Sequence, residues 1–153
     1  MTTTPTRIAE MFVLDTSALA KRYVAESNSS VIWELCDRDS VQIVFSRLGR
    51  LELASALNRR RRQGELTDEA HDEAWRLFED HLERYGVIEM AASVLDRAET
   101  LLARHPLRAA DAIHLASAIA IRDAGENPRF VTADRRQAEA AEAEGLDVWL
   151  LDA

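Results

Sequence analysis

The sequence predicts an α/β fold built on a parallel sheet of about five strands. Two observations predict it. Short apolar runs recur at 11–14, 41–45, 87–90, 129–132 and 148–151, each short enough for a buried strand. Between them lie longer segments with helical apolar spacing, and strands that alternate with helices form parallel sheets. The 153 residues suffice for one domain with a sizeable core.

Met11 to Leu14 reads as the first strand, after a polar tail over residues 1–10; Met11 is itself a candidate start, and the domain is expected over 11–153. Asp15, Thr16 and Ser17 end the strand and supply caps for a helix over about 18–24. Glu26 to Ser30 is a polar turn, and 31–37 a helix with Val31, Ile32 and Leu35 inward. Val41 to Phe45 is β-branched and alternates weakly, giving the second strand. A long helix over 48–63 ends in Arg59 to Arg62, with Gly64 as its stop. Thr67 caps the next helix, in which Ala70, Ala74, Leu77, Phe78, Leu82 and Tyr85 keep helical spacing until Gly86. The third strand is 87–90, followed by a helix over 93–104. Pro106 opens a helix over 107–124. The fourth strand is 129–132, a helix over 135–144 stops at Gly145, and 148–151 is the fifth strand.

Composition excludes several classes. Hydrophobic residues make up 47% and charged residues 30%, and five glycines and three prolines exclude collagen-like and low-complexity chains. One cysteine, Cys36, excludes a disulfide framework and a multi-cysteine zinc site, and fits a reducing cytoplasm, with Cys36 a small core residue. The most apolar stretch, 109–121, is interrupted by Asp111, His114 and Ser117, so no membrane span is expected. Residues 1–10 lack the apolar segment of a secretory signal. The net charge of −8 disfavours non-specific binding to nucleic acid, though not through a local basic surface.

Parallel sheets carry their sites at the carboxyl ends of the strands. Asp15 directly follows strand one and Asp134 follows strand four by two residues. Each reads equally as a helix N-cap or a site residue. Ser17 and Thr132 are capping residues or groups that orient these acids. Asp111 stands on a helix that is apolar nearly all round, in a row with Leu107 and Leu115. A carboxylate buried there costs several kcal/mol unless it pairs, with Arg108 or Arg104, or binds a metal. Glu52 has Ala56 rather than an arginine four residues on; alone it reads as a solvated glutamate. Taken together, convergent carboxylates without histidine or cysteine ligands suit a hard cation, Mg²⁺ or Mn²⁺. The matching chemistry is phosphodiester hydrolysis, in which the cation activates a water and stabilises an oxygen-rich transition state.

Other sites are excluded by pattern. The chain has no GxxxxGK, GxGxxG or GxSxG, and its four histidines lack zinc-site spacing. His114, three residues after Asp111, reads as a packed, hydrogen-bonded core histidine that touches Asp111 at most. The run 59–62 is either a solvated helix end favoured by the macrodipole or a phosphate or partner contact.

Four segments carry a family resemblance: FVLDTSAL at 12–19, SRLGRLELASAL at 46–57, LRAADAIHLASA at 107–118 and FVTADRR at 130–136. In this order and nearly spanning 11–151, they resemble the PIN-domain ribonucleases of the VapC toxin type. The resemblance implies a three-layer α/β/α fold and an acidic quartet at Asp15, Glu52, Asp111 and Asp134, supported by Ser17 and Thr132. It also implies Mg²⁺-dependent endonuclease action on RNA, a homodimer, and inhibition by a small cognate antitoxin lying over the site. Gly49 departs from the pattern, standing where a hydroxyl residue is expected. Substrate RNA would be met by local arginines such as Arg22, Arg59 and Arg135.

Rival readings fare worse. Receiver-like phosphoryl acceptors use a lysine late in the chain, and Lys21 is the only lysine. Haloacid-dehalogenase-type phosphatases want a second acid where Ser17 stands. A catalytically silent PIN-like module that only grips RNA or protein is the second reading, since it would tolerate loss of an acid and all four are present.

Overall fold

The computed structural model describes residues 9–151. Five strands form one sheet: β1 (Glu10–Leu14), β2 (Val41–Ser46), β3 (Gly86–Ile88), β4 (Arg129–Thr132) and β5 (Asp147–Leu150). Seven helices connect them: α1 (Thr16–Ala20), α2 (Ser29–Cys36), α3 (Arg47–Arg62), α4 (Asp68–His81), α5 (Ala92–Arg104), α6 (Ala109–Asp123) and α7 (Arg135–Ala143). The strand order is β3-β2-β1-β4-β5 and every pairing is parallel.

The apolar runs become strands because both faces of the sheet are covered. Successive side chains point to opposite faces. Phe12 and Leu14 therefore join Ile43, Phe45 and Val131 in one core with residues of α1 to α4. Val13, Val44 and Phe130 join residues of α5, α6 and α7 in the other. These are the three layers that the resemblance implies.

Element identities agree with the sequence reading, and several ends differ for local reasons. α1 starts at Thr16 rather than near Ala18, because the Asp15 carboxylate caps it by accepting from the Ala18 N–H at 3.0 Å. It stops at Ala20, and the Lys21 ammonium donates to the Ser27 carbonyl, holding the loop beyond. α4 closes at His81 instead of running to Tyr85. α6 begins at Ala109, not Leu107: the Asp111 carboxylate accepts from the Arg108 N–H at 3.3 Å, fixing Arg108 as the cap. The expected tail over residues 1–10 falls outside the described residues for 1–8, and Glu10 already belongs to β1.

Sequential strands lie to one side of β1 as far as β3, and then the chain crosses to β4 on the other side. The switch in direction thus falls between β1 and β4, where open α/β sheets place their crevice. The register sets Leu14 beside Val131, so Asp15 and Thr132 emerge side by side at the carboxyl edge.

Candidate functional site

Asp15 is the anchor of this edge. It is 3% exposed, although it leaves the sheet at its rim. Its Oδ1 accepts from the Ser17 hydroxyl at 2.7 Å and from the Ala18 N–H, and its Oδ2 accepts from the Thr132 hydroxyl at 2.6 Å. Burial pushes its carboxyl above the ordinary value, against the hydrogen bonds from Thr132 and Ser17 and the nearby His114. No cation lies within 4.0 Å of it among the described residues. Ser17 and Thr132 are thus structural to Asp15: Ser17 Oγ also accepts from the Ala133 N–H at 3.0 Å, and Thr132 Oγ1 from the Asp134 N–H at 3.0 Å.

Asp134 follows at once. It caps α7, its Oδ1 accepting from the Arg136 N–H at 2.9 Å, and it is half-buried. Its reading as a cap is the one the hydrogen bond shows, and it stands at the same edge as Asp15.

Glu52 comes from α3 and is not a solvated glutamate. Its Oε1 accepts from the Thr16 hydroxyl at 2.7 Å and lies 2.5 Å from His114 Nε2, while Thr16 Oγ1 lies 3.1 Å from the same nitrogen. Burial opposes ionisation of Glu52, but the bonds from His114 and Thr16 outweigh it and hold its carboxyl below the ordinary range. His114 is 3% exposed, and its Nδ1 is buried without a hydrogen-bond partner among the described residues. A bare Nδ1 lone pair is less costly there than an unsatisfied N–H, which favours the tautomer with Nε2–H directed at Glu52.

Asp111 departs from expectation. It is half-buried in the first turn of α6, not enclosed by the apolar face. Among the described residues it pairs with neither expected arginine: Arg104 pairs with Glu144, and only the Arg108 main chain reaches Asp111. The apolar burial of α6 starts with Ala112 and is densest from His114 to Ile119, one turn deeper. His114 is the packed, hydrogen-bonded core histidine expected from the sequence, and its bonds go to Glu52 and Thr16, not to Asp111. The Asp111 carbonyl accepts from Gln137 Nε2 at 3.2 Å, which sets the first turn of α6 beside α7 and its cap Asp134.

The arginines divide. Arg59 lines a groove of about 320 Å³ together with Thr16, Ser17, Lys21, Arg60 and Ala133, beside the acids. Arg135 opens α7 next to Asp134. Arg22 does not belong to this edge: its side chain is 17% exposed, lies 3.8 Å from Asp37, and lines a different cavity with Val41 and Ile43 from the first half of β2.

Sequence reasoning missed Thr16 and the role of His114. Both fall inside the motifs, and His114 lies one helical turn from Asp111, so its position on that face was readable. Its partner on α3 was not.

Asp15 and Asp134 thus follow β1 and β4 at the carboxyl edge, Glu52 of α3 is tied to Thr16 beside Asp15, and Asp111 stands in the first turn of α6 against α7. Among the described residues no three His, Cys, Asp or Glu side chains are gathered closely enough to enclose an ion by themselves. The donor chemistry nonetheless fits a hard cation, because Mg²⁺ keeps several waters and needs only one or two carboxylates. The buried Asp15, oriented by three donors and lacking a countercharge, is the group a cation would stabilise most.

Comparison with known proteins places these features in context. The PIN domain family profile matches residues 12–143. Ribonuclease VapC45 and ribonuclease VapC49 of Mycobacterium tuberculosis are each 37% identical over 139 residues, covering 88% of this chain and 91% of theirs. Among solved structures, PAE2754 from Pyrobaculum aerophilum superposes with a TM-score of 0.65 at 19% identity, covering 92% of this chain and 84% of that one. VapC20 of M. tuberculosis, a sarcin-ricin loop cleaving toxin, superposes with a TM-score of 0.63 at 20% identity, covering 88% and 95%. VapBC2 from Rickettsia felis, solved bound to a DNA fragment from its promoter, gives 0.62 at 17%, covering 93% and 99%. At these identities the structures share the fold.

Proposed function

The chain belongs to the PIN-domain family, and from that premise we propose that it is a Mg²⁺-dependent endoribonuclease, with Mn²⁺ a workable substitute, serving as the toxin of a type II toxin–antitoxin pair in the cytoplasm. The observation that carries this reading is the buried Asp15 at the switch point, held by three donors and joined to Glu52 through Thr16.

In this reading Asp15, Asp111 and Asp134 hold the cation, with Glu52 beside them. When bound, the cation supplies the charge that stabilises a phosphodiester transition state and acidifies a water. Ser17 and Thr132 keep the Asp15 oxygens aimed at the edge. Thr16 and His114 both engage Glu52 Oε1, leaving Oε2 to take a proton from the attacking water. Arg59, on the groove beside Thr16 and Ser17, takes a substrate phosphate, and Arg135 a neighbouring one. RNA is the substrate that the curated relatives' names point to.

Two protein partners follow. A cognate antitoxin covers the acidic edge; a basic segment suits both the acids and the net charge of −8. A second copy of the chain covers an apolar groove lined by Leu48, Leu51, Ala54, Trp75 and Met90, in which Leu51 is 68% exposed.

The decisive experiment is cleavage of total cellular RNA by the antitoxin-free protein, with Mg²⁺ and with chelator, beside Asp111→Asn. We expect cleavage that needs the cation and falls by at least about a hundredfold in the variant. Folded protein that never cleaves would make it a silent binding module; cleavage that survives in the variant would remove Asp111 from the site.

A further inference from the structure

A second polar cavity lies at the opposite edge of the sheet. It is lined by Arg22, Cys36, Asp37, Arg38, Asp39, Val41, Ile43, His81, Arg84 and Tyr85, and encloses about 200 Å³. Val41 and Ile43 belong to the first half of β2, and residues 37–39 are the link that enters it. The cavity is therefore at the amino edge, while the acids stand at the carboxyl edge.

Its charge is unbalanced in a specific way. Arg22 is mostly buried, yet its Nε is without a hydrogen-bond partner among the described residues and its nearest carboxylate, Asp37, is 3.8 Å away and itself well exposed. Arg38 and Arg84 stand at the exposed rim and make no ion pair among the described residues. Three guanidiniums face two rim carboxylates, Asp37 and Asp39. His81 has no negative form to offset them, and its burial and the neighbouring Arg22 and Arg84 hold its pKa below the ordinary value against Asp37 and Asp80. The polar floor is prearranged: the Tyr23 hydroxyl lies 2.8 Å from His81 Nδ1 and 3.0 Å from the Tyr85 hydroxyl.

We infer that this cavity is a binding site for a compact phosphate-type oxyanion, held by Arg22, Arg38 and Arg84 over the Tyr85 floor. Guanidinium forks match tetrahedral oxyanions, and a buried, undercompensated arginine gains most from one. The volume is below that of ordinary organic-ligand pockets, which suits inorganic phosphate or a small phosphomonoester. Nothing in the nuclease reading requires this site, and Arg22, expected to meet RNA at the acids, acquires a different task.

The test is calorimetric titration of the full chain with inorganic phosphate and, separately, with glycerol 3-phosphate. Chelator is present, RNA is absent, and ionic strength is held constant with chloride. We expect saturable one-site binding that weakens about tenfold or more in Arg22→Gln. Because Arg22 is packed, the exposed Arg84→Gln serves as a second variant and should weaken binding as well. Arg104→Gln, paired with Glu144 elsewhere on the surface, should leave it unchanged. Preference for the phosphomonoester identifies a terminal phosphate as ligand, and equal affinity identifies the free ion; both support the site. Absence of saturable binding, or equal binding by wild type and a folded Arg84→Gln protein, overturns the inference whatever the outcome of the cleavage assay.

Discussion

Asp15 and Glu52 answer to pH in opposite directions. The folded-state pKa of Asp15 is raised above its ordinary 3.8, so ionised Asp15 opposes folding. That penalty is absent below the unfolded pKa and is complete once the pH has risen through the folded one. Asp15→Asn should therefore make the metal-free protein more stable at pH 7, by an amount that shrinks towards pH 4, while abolishing cleavage. Urea unfolding in chelator at several pH values reads this directly; a variant less stable at every pH would contradict it. Glu52 has a folded pKa below its ordinary 4.5, so its bonds stabilise the fold above that pH and fade as the pH falls through the folded value. Thr16→Val should cost about 1 kcal/mol at pH 7 and less in acid. The two positions also differ in legibility. Asp15 was visible because a strand end and a cap coincide in one local segment. Glu52 was not, because the groups that distinguish it from a surface glutamate arrive from α1 and α6, 36 and 62 residues away.

At the scale of elements, the strands were readable because each is a short apolar run buried on both faces. The helix starts were less so. Asp15 and Asp111 are cap-forming residues as well as site candidates, and their own hydrogen bonds set where α1 and α6 begin. Asp111 was also misjudged by averaging over α6: a helix can be apolar along its length and still lift its first turn clear of the core. Two glycines on or after α3 separate space from conformation. A Cβ on Gly49 would meet Phe45, Leu19 and Thr16 at 3.5 to 3.7 Å, ordinary contact distances. Gly49→Ala should therefore stabilise by roughly 0.5–1 kcal/mol through helix propensity. Gly64 has open space but a φ of +76°, so Gly64→Ala should destabilise by about 1 kcal/mol. Thermal melts of the pair should move in opposite directions.

For the whole molecule, the proposed action on RNA requires an acidic chain to concentrate its cations locally. In the groove beside the carboxyl edge Arg59 is the cation for this, since Arg60 is already paired with Glu26 and Glu65. The proposed dimer seats a second copy of the chain on the apolar groove around Leu51. Leu51→Glu should halve the mass measured by light scattering while the circular dichroism spectrum is kept; an unchanged mass would place the dimer contact elsewhere. Among the described residues no helix is long and apolar enough to cross a membrane. The parallel sheet was legible from alternation and the three layers from the family resemblance, while the strand order β3-β2-β1-β4-β5 was legible from neither. Nor was the Arg22 cavity, because its lining is drawn from α2, β2, α4 and the loops around them.

The position of β1 at the centre of the sheet has a temporal consequence. Its two neighbours, β2 and β4, are made at very different moments of synthesis: Glu10 finds Val41 early, but Phe12 must wait for Arg129. The Asp15–Thr132 bond closes a separation of 117 residues, so no nascent chain that ends before Thr132 can form it. A polypeptide still emerging from the ribosome thus carries an incomplete carboxyl edge until β4 has been made and has paired with β1.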